Sequence, residues 1–366
     1  MKRIIDYISV IMFFTIVIMI AVSTVLLGNG RSVPVSDEQL SPTQTVDEYL
    51  LAGFPLKDSW QGLRTGLLLA AGRNEIDGSF FIDGAVIKPV SGISDDAADA
   101  FVSSVNTFAS ENSGVSVYAM IVPSASGVYS ADIPSVGSGF DQKRYIEDLY
   151  LSLDRSVAAL DAFSTLYSSR ENYIFMRTDN SLTSNGAFGV YYSTARKMGL
   201  NPRSLSEYDT EHAMTNFYGS LCDELSVRSQ VRPDSIELFV PKNGTVVKSA
   251  ECINSRVSDS YSSVFDRNAL LTESPLDVFV YGSRYERVDI RTINAESPRL
   301  LIIKTRETNP VIPFFVTHYS RVTVIDIEKA SLPLSAYAYV GDYDQVLFMV
   351  GISSFENVAQ GLRDFM

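Results

Sequence analysis

Apolar positions in this chain follow two patterns: one uncharged, largely apolar run at residues 8–27, and beyond residue 47 short runs alternating with segments of three- and four-residue period. A run of about 20 bulky residues is long enough to cross a hydrocarbon core as a helix. Lys2 and Arg3 ahead of it predict a cytoplasmic start. The run stays bulky through Val25, Leu26 and Leu27, without a small-residue cleavage site, so residues 1–30 are expected to form an uncleaved single-pass anchor. That topology predicts a cell-membrane protein whose remaining mass is extracytoplasmic. Residues 31–46, rich in Ser, Pro, Val and acidic residues, read as a linker, and residues 47–366 as one domain.

Within that domain, runs at 80–82 and 86–87 predict a hairpin, and 115–122 a strand stopped by Pro123. Ser94 reads as the cap of a helix with Ala98, Phe101, Val102 and Val105 on its apolar face. The spacing of Ile146, Leu149, Tyr150, Leu153, Val157 and Leu160 predicts one further helix. Residues 173–176 look strand-like, and Thr183 or Ser184 opens a helix that Gly199 closes. Asn243-Gly244, between runs at 236–240 and 245–247, predicts an inserted hairpin. Runs at 300–304, 322–326 and 345–350 are buried-strand candidates. The expected fold is α/β: a mostly parallel sheet flanked by helices, with a β-hairpin insertion. Sites in such sheets form at the carboxyl ends of strands, where Asp179 and Thr305 are expected.

With 46% hydrophobic and 20% charged residues, the 366-residue chain should bury a substantial core. Its formal charge of -13 argues against a nucleic-acid partner, which would require a cationic face. Cys222 and Cys252 leave two readings open, a disulfide or two buried free thiols. The acidic run Glu207, Asp209, Glu211 and His212 reads as a solvated helix, because neighbours in sequence rarely converge on a metal. His318 reads as a structural residue ahead of a strand. No metal and no cofactor is expected. The 19 tyrosines beside a single tryptophan, Trp60, suit either sugar stacking or ordinary core edges, and the ordinary reading is preferred.

The chemistry centres on residues 177–184, RTDNSLTS, where Asp179 follows an apolar run and precedes a Thr-Ser helix cap. This segment, VSVYAMIVPSASGVYSADIP at 115–134, LLIIKTRETNPVIPF at 300–314 and HYSRVTVID at 318–326 together resemble the DHHW family. Those are exported, SGNH-hydrolase-like proteins related to the alginate O-acetylation proteins. The family forms RTDHHWTS and LLIIKDSYANSFIPF imply a serine nucleophile and an Asp-x-His base. Here Ser181 stands at the imidazole position, Leu182 at the tryptophan position and Arg306 at the nucleophile position. Arginine is a permanent cation that cannot attack a carbonyl, and a serine hydroxyl cannot relay a proton near neutrality. Losing one such element costs about 10⁶ in turnover.

Asp179, Asn180, Ser181 and Arg306 therefore read as a vestigial site, with Arg306, Asp179 and Ser283 as binding candidates. Asp179 has two expected fates. It accepts hydrogen bonds from the following turn or from the helix opened by Thr183 and Ser184, or it pairs with Arg306, with Glu307 competing. The resemblance implies a non-catalytic cell-envelope protein that binds a glycan or a partner protein in polymer modification. The alternatives are an active carbohydrate O-acetylesterase or O-acetyltransferase using displaced hydroxyls such as Thr305 or Thr308, and an interaction protein without a ligand.

Overall fold

The computed structural model describes residues 57–133, 139–244, 246–254 and 258–366, with helical fragments inside 7–23. Most of the expected anchor and all of the expected linker lie outside the described residues. Among the described residues no helix is long and apolar enough to cross a membrane. By internal contacts the chain divides into Met1–Gly72 with Leu225–Ser229, and Arg73–Glu224 with Gln230–Met366. The first unit contains α1 (Lys57–Ala70), where Ser226 Oγ donates to Gln61 Oε1 at 3.3 Å.

The second unit begins with the antiparallel sheet of β1 (Glu75–Ile76), β2 (Ser79–Ile82) and β3 (Ala85–Ile87). The expected hairpin is thus present, with one extra strand. Next come α2 (Asp95–Glu111), β4 (Ser116–Val122), α3 (Ala125–Val128), α4 (Gln142–Leu151), β5 (Val157–Ala159) and α5 (Phe163–Ser168). They lead into α6 (Ser184–Thr194), β6 (Tyr208–Phe217), α7 (Ser220–Leu225), β7 (Asp234–Pro241), β8 (Val247–Ile253) and β9 (Ser258–Tyr261). The chain closes with β10 (Arg287–Thr292), β11 (Arg299–Lys304), α8 (Ile312–Val316), β12 (Arg321–Asp326), α9 (Leu334–Tyr337), β13 (Gln345–Gly351) and α10 (Phe355–Phe365).

The central sheet has the order β5-β4-β13-β11-β12-β10-β8-β9. From β5 to β12 neighbours are parallel, and from β12 to β9 they are antiparallel, so the sheet is mixed. The three buried runs became β11, β12 and β13, side by side and covered on both faces. One face packs Phe101 and Phe108 of α2, Ile146 of α4 and Phe355 of α10; the other packs Leu166 of α5, Val190 of α6 and Phe314 of α8. Ser94 caps α2 as expected, accepting from Ala97 N at 3.2 Å.

Four expectations are corrected. The helix drawn through Val157 stops at Leu151, because a turn closed by Val157 N on Asp154 O redirects the chain. Val157 then opens β5 at the sheet edge, where it pairs with Val117 of β4. Residues 173–176 are outside the sheet; Phe175 forms only an isolated bridge with Leu182. The Asn243-Gly244 turn does not join a hairpin, because β7 pairs with β6 while β8 enters the central sheet. The acidic run is mostly strand rather than helix: Glu207 ends a 3₁₀ turn at Leu205–Glu207, while Asp209, Glu211 and His212 lie on β6, with His212 Nδ1 at 3.0 Å from Glu237 and Glu211 paired with Arg267.

Candidate functional site

Asp179 lies in a loop that closes on itself rather than at a sheet strand end. Met176 N donates to Ser181 O and Thr183 N to Ile174 O, both at 3.0 Å. Thr183 then caps α6 by accepting from Gly186 N at 3.2 Å. The loop is anchored by Asp234, fully buried at the start of β7. Its carboxylate accepts from Tyr173 Oη at 2.5 Å, Arg177 N at 2.7 Å, Thr178 N at 2.9 Å and Thr178 Oγ1 at 2.5 Å. Burial, then the negative charge of Asp234, push the Tyr173 hydroxyl up, so it remains a donor.

Asp179 is itself buried and saturated. Oδ1 accepts from Ser181 N at 3.1 Å and Ser181 Oγ at 2.7 Å; Oδ2 accepts from Ser220 N at 3.1 Å and Ser220 Oγ at 2.9 Å. Half of the expected capping role is present, since the following turn supplies Ser181. The helix that contributes is α7, not α6. Gly219 makes this approach possible, as a Cβ there would lie 2.5 Å from Asp179 Cβ and 2.6 Å from Thr178 O. Asn180 sits half-buried in the same loop.

The expected ion pair of Arg306 with Asp179 does not form, because the serine donors fill both carboxylate oxygens. Arg306 follows β11, and its backbone N donates to Glu328 Oε2 at 2.6 Å. Its charge acts instead on Asp277: burial pushes that carboxyl up, and Arg306 and then Arg284 pull it back. The structure therefore places Asp179 and Arg306 in distinct hydrogen-bonded networks.

A family model described as DHHW protein matches residues 64–325. The chain belongs to the DHHW family. It is 24% identical to a DHHW family protein from Eubacterium siraeum DSM 15702, with a TM-score of 0.68, covering 79% of this chain and 96% of that one. Bacillus cereus PatB1, solved with a sulfonyl adduct, is 15% identical with a TM-score of 0.67, over 78% of this chain and 98% of that one. These likenesses establish a shared fold. No curated protein matches the sequence.

In this DHHW chain the carboxyl ends of β11, β12 and β13 carry a second polar network. Ser354 Oγ lies 2.7 Å from Glu307 Oε1 and 2.8 Å from Glu328 Oε1. One hydroxyl proton cannot serve two carboxylates, so the arrangement requires a proton on one of them. Burial, then the charge of Glu328, push the Glu307 carboxyl up, which favours Glu307 as the holder of the proton. A raised folded value stabilises the fold below the free glutamate range, about pH 4.3, and that contribution fades as pH rises through the folded value. In urea titrations from pH 4 to 8, Glu307→Gln is therefore expected to flatten the loss of stability with rising pH. Parallel pH profiles for parent and variant would refute the assignment.

Ser283 is delivered by a left-handed turn, with φ of 51° at Val280, 64° at Tyr281 and 62° at Gly282. This conformation is costly for non-glycine residues, most of all for a β-branched one. Val280 N bonds Val264 O at 3.0 Å, Gly282 N bonds Phe279 O at 2.9 Å, and Tyr281 Oη donates to Ser263 O. A Cβ at Gly282 would meet Asp277 Oδ1 at 1.9 Å. Ser283 Oγ donates to Asp326 Oδ2 at 3.0 Å, beside the Lys304–Asp326 pair. It is thus a structural donor here, not grouped with Asp179. Thr305, at the end of β11, accepts from Gly351 N at 2.8 Å, and Thr308 donates to Thr305 O at 2.8 Å.

His318 Nε2 lies 2.7 Å from Tyr191 Oη, which accepts from Arg203 N, so the tyrosine proton points at the ring. Burial, with Arg203 adding, pulls the imidazole down to about 4, leaving it neutral. Cys222 and Cys252 are buried thiols, on α7 and on sheet strand β8, and are not joined in a disulfide. Burial pushes the Cys252 thiol up to about 12. Among the described residues no group of three or more acidic, histidine or cysteine side chains could hold a metal. Sequence reading missed Ser220, Asp234, Glu328 and Ser354. A Gly-Ser step ahead of α7 is a cap signal that marks Ser220; nothing local marks the other three.

Proposed function

We propose that this DHHW protein is a non-catalytic, membrane-anchored component of the cell envelope. Its SGNH-hydrolase-like domain would lie on the extracytoplasmic side and bind a glycan or a partner protein in polymer modification. The observation that carries the reading is Asp179, whose oxygens are filled by Ser181 and Ser220 while Arg306 occupies the nucleophile position. A carboxylate held in this way stabilises a turn and orients no imidazole. Neither histidine supplies a substitute, since His212 of β6 pairs with Glu237 of β7 and His318 with Tyr191. The shared fold with PatB1 is compatible with loss of chemistry, because function resides in the site and not in the scaffold.

The test uses the full-length protein in detergent with 4-nitrophenyl acetate and with phenylmethylsulfonyl fluoride. Hydrolysis is expected at the rate of buffer alone, and intact mass is expected to show no sulfonyl addition. Turnover that Asp179→Ala abolishes would overturn the reading and favour an active O-acetylesterase or O-acetyltransferase.

A further inference from the structure

The motif loop presents a second side. While Asp179 turns inward, Arg177 lines a cleft of about 700 Å³ between the β2–β3 hairpin and residues 170–177. That volume is within the range of about 300–1,000 Å³ typical of small-ligand sites. Its apolar surface comes from Tyr129, Phe175 and Ile87, with Tyr173 alongside. Tyr129 and Phe175 meet edge to face at 5.9 Å, and Arg177 lies over the Tyr173 ring at 4.2 Å, so the aromatic surfaces are held in place.

The polar lining balances in sign. Arg170, Arg177 and Arg232 face Asp83, Asp132 and Glu171 around one cavity. Two of the guanidiniums are already engaged: Arg170 with Tyr167 O at 3.1 Å, and Arg177 with Pro233 O at 3.2 Å. Among the described residues, the Tyr129 hydroxyl, the Asn172 carboxamide and the Arg232 guanidinium have no intramolecular hydrogen-bond partner. Burial, then Asp132 and Glu171, push the Tyr129 hydroxyl up and keep it a donor.

We propose that this cleft binds an uncharged oligosaccharide, with a sugar ring against Tyr129 and its hydroxyls on Asn172, Arg232 and Asp132. A polyhydroxylated ring needs donors and acceptors in similar number together with an aromatic face, and all three are here. An anionic polymer is disfavoured by the balanced lining and by the formal charge of -13 on the whole chain. The inference rests on the glycan-binding reading above and names its site and ligand class.

The test is a printed array of uncharged and anionic oligosaccharides, probed with the full-length protein and with three variants. Tyr129→Phe keeps the ring packing and removes the hydroxyl; Asn172→Ala alters an exposed side chain; Tyr339→Ala alters an exposed ring in a different groove. Expected are retention of uncharged oligosaccharides, a loss of about tenfold or more in Asn172→Ala and Tyr129→Phe, and no change in Tyr339→Ala. No retention by the parent overturns both the glycan reading and this site. Retention that both cleft variants leave unchanged overturns the site alone. Retention confined to anionic sugars overturns the ligand class.

Discussion

Lys304→Met alone is expected to destabilise the folded chain by about 3–5 kcal/mol, the usual cost of leaving one member of a buried ion pair uncompensated. Lys304 Nζ and Asp326 Oδ2 are 2.5 Å apart, and both side chains are 2% exposed. Without the ammonium, Asp326 keeps only Ser283 Oγ and Glu328 N, each at 3.0 Å, which do not neutralise its charge. The double variant Lys304→Met, Asp326→Leu is expected to recover most of the loss, because both charges and both desolvation penalties disappear together. It should remain about 1 kcal/mol short, since Ser283 and Glu328 N lose their acceptor. Urea titration of the parent, the two single variants Lys304→Met and Asp326→Leu, and the double variant yields the coupling energy directly. A loss below about 1 kcal/mol in the single variant would show that the pair is hydrated in solution.

Asp234→Ala is expected to cost a similar amount, about 3–5 kcal/mol, by a different route. The carboxylate takes hydrogen bonds from a phenol, two backbone amides and a threonine hydroxyl, all pointing into a site closed to water. Removing it strands buried donors at about 1–3 kcal/mol each, partly relieved by relaxation. Asp234→Asn should fall between, because one amide oxygen still accepts while its NH₂ faces other donors. Amide exchange should also accelerate at residues 174–183, since Thr178 Oγ1 passes the same network on to Gly219 N at 2.8 Å. A stable Ala variant with unchanged exchange would show that the loop is held by packing alone.

The parts of the fold legible in the chain are those where burial repeats at short range. Residues 300–304, 322–326 and 345–350 are apolar on both faces, and only a strand covered on both sides of a sheet needs that. The hairpin at 80–82 and 86–87 and the Ser94 cap are equally local, set by turn and cap chemistry over a few residues. Reading failed where a local pattern served another purpose. The three- and four-residue spacing from Ile146 to Val157 spans a helix and an edge strand, because both bury apolar residues against the same face. Asn243-Gly244 makes a real turn, with Gly244 at φ 86°, yet pairing partners far away decide which sheet each flanking strand joins.

The site divides along the same line. The chain's resemblance to the DHHW forms implied that Arg306 and Ser181 stand in place of a serine and a histidine, and side-chain identity then fixed what they can do, because a guanidinium or a hydroxyl has the same chemistry in any fold. Only the tertiary structure decided what became of Asp179. Its second partner, Ser220, lies 41 positions further on, and the anchor of its loop, Asp234, lies 56 positions beyond Thr178. A carboxylate takes whichever donors the packing brings within about 3 Å. Packing brought two serines to Asp179 and left Arg306 bonded through its backbone to Glu328, a choice made by long-range contacts that leave no period and no motif in the chain.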